Sequence, residues 1–64
     1  MAWFYRVVQQ DQGRWVCRFG RERLDEHEDL VDAIGHCGAI AAGNRPARLF
    51  VHYLDGLVTY VASF

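Results

Sequence analysis

The residues able to do chemistry in this chain are few: two cysteines, Cys17 and Cys37, three histidines, His27, His36 and His52, and seven arginines with no lysine beside them. A metal site needs imidazoles, thiolates or carboxylates at short fixed spacing. The three histidines form no such spacing, so no metal and no cofactor is expected. They read as solvated or hydrogen-bonded side chains. His52, three residues before Asp55-Gly56, is the one placed to meet an anion or to titrate near neutral pH. Gly35-His36-Cys37-Gly38 matches the nucleotide-clamping GXXG loop only superficially. That loop joins two helices, and these residues sit inside one. No serine or cysteine has a recognisable base, no glycine-rich phosphate loop is present and no carboxylate pair is placed in a pocket. A chain of 64 residues has little room for a cleft. No catalytic residue is assigned and the chain is not expected to be an enzyme.

Cys17 and Cys37 both face inward, one from a strand and one from a helix, and read as two small buried apolar residues. A bond between them depends on a separation that spacing alone does not fix. A secreted disulfide scaffold would carry more cysteines, so the default is a cytoplasmic protein with reduced thiols. Residues 1–10 have neither the charged start nor the apolar run of a secretory leader. No stretch reaches 18 apolar residues, so no membrane span is expected. The net charge of -1 is silent about nucleic acid. The exclusive use of arginine has a bland source in GC-rich coding and a functional one in the planar fork that suits phosphate and carboxylate.

The elements that must position these residues follow from periodicity. Ala2–Gln9 is aromatic and β-branched and reads as a strand. Asp11-Gln12-Gly13 is a three-residue hairpin loop whose last residue needs positive φ, and Arg14–Phe19 is the returning strand. This register sets Val7 against Cys17, Gln9 against Trp15, Tyr5 against Phe19 and, on the other face, Arg6 against Arg18 and Val8 against Val16. Gly20–Leu24 reads as a polar connection. Asp25 with Glu28 forms a capping box and so starts a helix. Leu30, Ile34, Cys37 and Ala41 make its inward stripe, widened by Val31 and Gly38. Gly43 and Pro46 end it. Ala47–Leu54 and Leu57–Phe64 are strands joined by the Asp55-Gly56 turn. A two-residue turn pairs Tyr53 with Val58, Val51 with Tyr60 and Leu49 with Ala62.

The expected fold is therefore α+β and a single domain over residues 1–64: a four-stranded antiparallel sheet of two hairpins with one helix on one face, in the order ββαββ. The core face carries Trp3, Tyr5, Val7, Trp15, Cys17, Phe19, Leu49, Val51, Tyr53, Val58, Tyr60 and Ala62. One helix covers only one face. The other carries Phe4, Arg6, Val8, Arg14, Val16, Arg18, Arg48, Phe50, His52, Thr59 and Val61, an apolar patch among arginines too rich for an idle surface. Its binding residues are Phe4, Arg6, Arg14, Val16, Arg18, Arg48, Phe50 and His52. The expected role is a small interaction domain that self-associates through this face as a homodimer. A solvated face with some exposed apolar residues is the bland reading. The alternative function is a nucleic-acid module, with arginines on phosphates and Phe4 and Phe50 stacking on bases, and a foreign protein partner is a further possibility.

The motifs Tyr5-Arg6-Val7-Val8, Gly13-Arg14-Trp15-Val16-Cys17-Arg18, an inward Ala33 and Phe50-Val51-His52-Tyr53-Leu54-Asp55-Gly56-Leu57-Val58 together resemble a small bacterial family known as domain of unknown function 2188. The resemblance spans nearly the whole chain and implies a ββαββ fold with no established activity. The chain departs from the family at Ala62-Ser63-Phe64 and in lacking its lysines. A fainter likeness is to the antitoxin half of a toxin–antitoxin pair, which would imply an antitoxin-like, protein-binding domain.

Overall fold

A computed structural model of the chain describes residues 2–64; Met1, which opens the expected domain, lies outside the described residues. The elements are β1 (Trp3–Gln9), β2 (Trp15–Phe19), β3 (Glu22–His27), α1 (Leu30–Ala42), β4 (Ala47–His52) and β5 (Val58–Ser63). They form one five-stranded sheet in the order β3-β2-β1-β4-β5 with α1 on one face. The class is α+β, but the expected four-stranded antiparallel ββαββ sheet is replaced by βββαββ with a mixed sheet: β1 and β4 run parallel, and the other neighbours antiparallel. Parity explains the change. One additional strand before the helix reverses the direction in which the chain enters it. The strand that leaves the helix then runs with β1 instead of against it.

The additional strand is β3, expected to be a polar connection and a capping box. Gly20, at φ +59, and Arg21 form a two-residue loop that returns Glu22 opposite Phe19. The strand sequence Glu-Arg-Leu-Asp-Glu-His lies at the sheet edge, where charged side chains are tolerated and block pairing with other chains. Helix α1 therefore starts later. Asp29 is its N-cap, and its carboxylate accepts from Asp32 N at 3.2 Å. Asp29→Ala is expected to cost about 1 kcal/mol in urea unfolding. An unchanged midpoint would show that the cap does not hold the helix start.

The first hairpin has the expected register, with Tyr5 against Phe19, Val7 against Cys17 and Gln9 against Trp15. Its loop places Gln12 (φ 69) and Gly13 (φ 77) in the left-handed region, and Gln10 N donates to Arg14 O across it. The second hairpin keeps Arg48 against Ser63 and Leu49 against Ala62. A bulge after Leu49 then shifts every later pair: Phe50 meets Tyr60, Val51 meets Thr59 and His52 meets Val58. The turn is longer than two residues, with Tyr53 N donating to Leu57 O and Gly56 N to Tyr53 O. One residue of slip moves a side chain to the opposite face. Val58 and Tyr60, expected in the core, therefore join the outer face, and Thr59, expected outside, pairs with core-facing Val51.

The core is built from Tyr5, Val7, Cys17, Ala47, Leu49 and Val51 of the sheet and Ala33, Cys37 and Ala41 of the helix. The four-residue spacing of these small helical side chains lets α1 sit close to the sheet. A Cβ on Gly38 would make only ordinary van der Waals contacts, 3.6 Å from the Phe64 ring and 3.7 Å from Leu49, so the packing itself does not demand glycine there. In the expected stripe Val31 is exposed and Leu30 and Ile34 are only partly buried, while Ala33, inward as the resemblance implied, is fully buried. Trp3, also expected inside, is half-exposed and packs edge-on against Phe19. The cysteines, read as separate apolar residues, form a disulfide with Cα atoms 5.8 Å apart, joining β2 to α1 at the centre of the core.

Candidate functional site

The sheet face opposite α1 gathers the residues expected there, and the structure divides them into two unlike halves. Over β1, β4 and β5 the surface is aromatic. Phe4 and Phe50 meet at 6.0 Å between ring centroids, and Phe50 meets Tyr60 at 5.8 Å, both edge to face. Phe4, Arg6, Phe50, His52 and Val58 line a shallow apolar depression beside this cluster. Phe4 is 54% exposed, Val58 50% and Tyr60 59%, so a continuous apolar surface faces outward. The bulge after Leu49 creates it, by bringing Val58 and Tyr60 to the side of Phe50. Tyr60 and Val58 were missed as face residues because nothing in the local sequence marks the bulge.

Over β2 and β3 the surface is charged and internally paired. Arg14 lies 3.1 Å from Glu26 and 3.7 Å from Glu28, and Arg23 also pairs with Glu26. Arg6 and Arg18 stand opposite each other, as expected. Both turn to the Gly20-Arg21 loop, where Arg6 Nη2 donates to Gly20 O at 2.8 Å and Arg18 Nη2 to Arg21 O at 3.0 Å. Carbonyl dipoles at the turn thus offset the like charges. Val16, expected to be an exposed contact, is buried to 4% in the floor of the groove lined by Arg14, Arg18, Arg23 and Glu26. Arg48 is exposed. Four of the arginines are thereby committed to partners within the fold, which reduces what the face offers to phosphates.

The two sheet edges differ in the same way. Edge strand β3 carries Glu22, Arg23, Asp25 and Glu26, whereas edge strand β5, Val-Thr-Tyr-Val-Ala-Ser, carries no formal charge. Charge on an edge strand discourages pairing with another chain; an uncharged β-branched and aromatic edge leaves that pairing open.

A second constellation lies at the other margin, on the helix side of the sheet. Asp25 and His27 alternate along β3 and so share a face, and α1 sets His36 above them. His27 Nε2 is 3.1 Å from Asp25 Oδ1, and His36 Nδ1 pairs with Asp25 Oδ2. The imidazole centroids are 5.2 Å apart, and one ligand atom from each of the three side chains lies within 4.8 Å of the others. The histidines were expected to stay apart. With residue 25 placed in a helix, positions 25 and 27 point in different directions; only as a strand do they converge. His52 remains on the aromatic face, away from this group.

Comparison with protein-family models, curated proteins and solved structures finds no match to this chain. Among the described residues no helix is long and apolar enough to cross a membrane.

Proposed function

We propose that this chain is a small interaction domain that self-associates through edge strand β5 and the aromatic half of the outer face that adjoins it. The observation that carries this reading is the contrast between the edges: β3 is charged, while β5 is uncharged and continuous with the Phe4–Phe50–Tyr60 surface. An antiparallel β5–β5 pairing about a two-fold axis would satisfy the free backbone groups of both edges. It would also bring the two apolar halves side by side, with the paired arginines and glutamates held at the far ends. Face-to-face stacking of whole sheets would instead bring Arg6, Arg18 and Arg48 of both copies together, and this opposes it. A homodimer follows as the working state, with any foreign protein partner meeting the surfaces the dimer leaves free.

The test is the native mass by light scattering after size exclusion, at low and at high salt. The expected result is twice the 7.4 kDa chain mass at both salts, because an apolar and backbone-paired interface is little screened. A monomer at both salts overturns the reading. Nucleic-acid binding is the competing outcome, and would appear as retention of an oligonucleotide that weakens steeply with salt and is lost in the Arg6→Glu, Arg18→Glu double variant.

A further inference from the structure

We propose that Asp25, His27 and His36 form a binding site for a first-row divalent cation with a preference for imidazole, for which Zn2+ is the probe. Three independent placements converge on it. The β3 pleat puts Asp25 and His27 on one face, the second-turn position of His36 on α1 brings its ring toward them, and the Asp25 carboxylate lies between the two imidazoles. Zinc–nitrogen and zinc–carboxylate bonds of about 2.0–2.2 Å set tetrahedral ligand atoms about 3.4 Å apart. The three donors all lie within 4.8 Å of one another, so even the widest pair is within about 1.4 Å of that separation.

The donor set selects the ion class. Two of the three donors are imidazole nitrogens, which suit zinc, copper, nickel and iron; calcium and magnesium take oxygen ligands. One carboxylate with two neutral imidazoles leaves a bound divalent ion with a net positive charge. Asp25 and His27 are about one-quarter exposed and His36 about half. The site is therefore walled on the protein side and open on the solvent side, where a fourth ligand would be water or a group from a partner. An ion held there would tie the charged edge strand β3 to the helix, at the opposite end of the sheet from β5.

The experiment is calorimetric titration of Zn2+ into the tag-free full chain after removal of metals by chelator, with thermal unfolding measured beside it. One zinc per chain is expected, with a melting temperature that rises as free zinc exceeds its dissociation constant. Loss of an outer-shell partner typically weakens a metal site about 10–100-fold. Loss of a direct ligand in His36→Ala or Asp25→Asn is expected to weaken this one at least tenfold. His36 is half-exposed on the helix surface, so circular dichroism of its variant should match the parent and separate loss of ligand from loss of fold. Absence of zinc binding by the parent chain would mean a carboxylate merely hydrogen-bonded to two histidines, and would overturn the proposal. So would binding that persists undiminished in His36→Ala, binding that is lost in His52→Ala, or a stoichiometry of one ion per two chains.

Discussion

Opening the Cys17–Cys37 bridge is expected to lower the melting temperature of this domain by roughly 12–24 °C. The bridge closes a loop with a sequence separation of 20, and cross-linking such a loop restricts the unfolded chain by about 3 kcal/mol. In a domain of 60–100 residues each kcal/mol moves the midpoint by about 4–8 °C. The effect is large because the whole is small. A chain of this length buries only about 60% of the surface its unfolded form exposes, and a typical stability per residue gives it about 3–10 kcal/mol in all. Both cysteines are fully buried, so a reductant reaches the bridge only when the structure opens. The measurement is therefore thermal unfolding by circular dichroism after reduction in denaturant and refolding under reductant, with the Cys17→Ala, Cys37→Ala double variant beside it. A midpoint that moves in neither would show that the packed core alone holds the helix to the sheet.

The second large effect is expected at β5. Lysine on an edge strand opposes pairing with another chain. Val58→Lys and Tyr60→Lys each place a charge on a residue at least half outside the fold, within the proposed interface. An aromatic anchor at the centre of an interface contributes 2 kcal/mol or more, and 1.4 kcal/mol is a tenfold change in affinity. Tyr60→Lys should weaken self-association by at least about thirtyfold, Val58→Lys should weaken it as well, and the pair together should run at the single-chain mass at every concentration tested. The far-ultraviolet dichroism should be unchanged, because neither side chain belongs to the core. Phe50→Asp would also disrupt the surface, but Phe50 is partly buried between Phe4 and Tyr60, so a loss there mixes folding with association. A double-lysine variant that stays a dimer would remove β5 from the interface.

The two hairpins show where local reading holds and where it stops. In the first, the short loop closed by Gly13 fixes the register, and the alternation on both strands agrees with it, so Val7–Cys17 and its neighbours were readable pair by pair. In the second, the Asp55-Gly56 signal suggests a two-residue turn. The chain instead uses a longer turn and absorbs the difference in a bulge after Leu49. A bulge leaves little trace in composition, yet it transfers Val58 and Tyr60 from the core to the surface that the functional reading depends on. Strand β3 was hidden for a different reason. Asp25 and Glu28 satisfy the spacing of a capping box, and an edge strand guarded by charge has the composition of a helix start. Asp29, four residues further on, takes the cap because a strand already occupies Asp25.

By itself the sequence determined the α+β class, a single helix facing a sheet, the first hairpin register, the inward direction of both cysteines and the aromatic–arginine character of the open face. All of these rest on interactions within a few residues or on period-2 and period-3.6 alternation, which the chain carries locally. Tertiary structure alone decided the fifth strand, the parallel pairing of β1 with β4, the Cys17–Cys37 bond, the division of the outer face into apolar and ion-paired halves, and the convergence of Asp25, His27 and His36. Each of these joins residues distant in sequence or depends on which element first claims a shared residue, and such competition is settled only when all elements pack against one core.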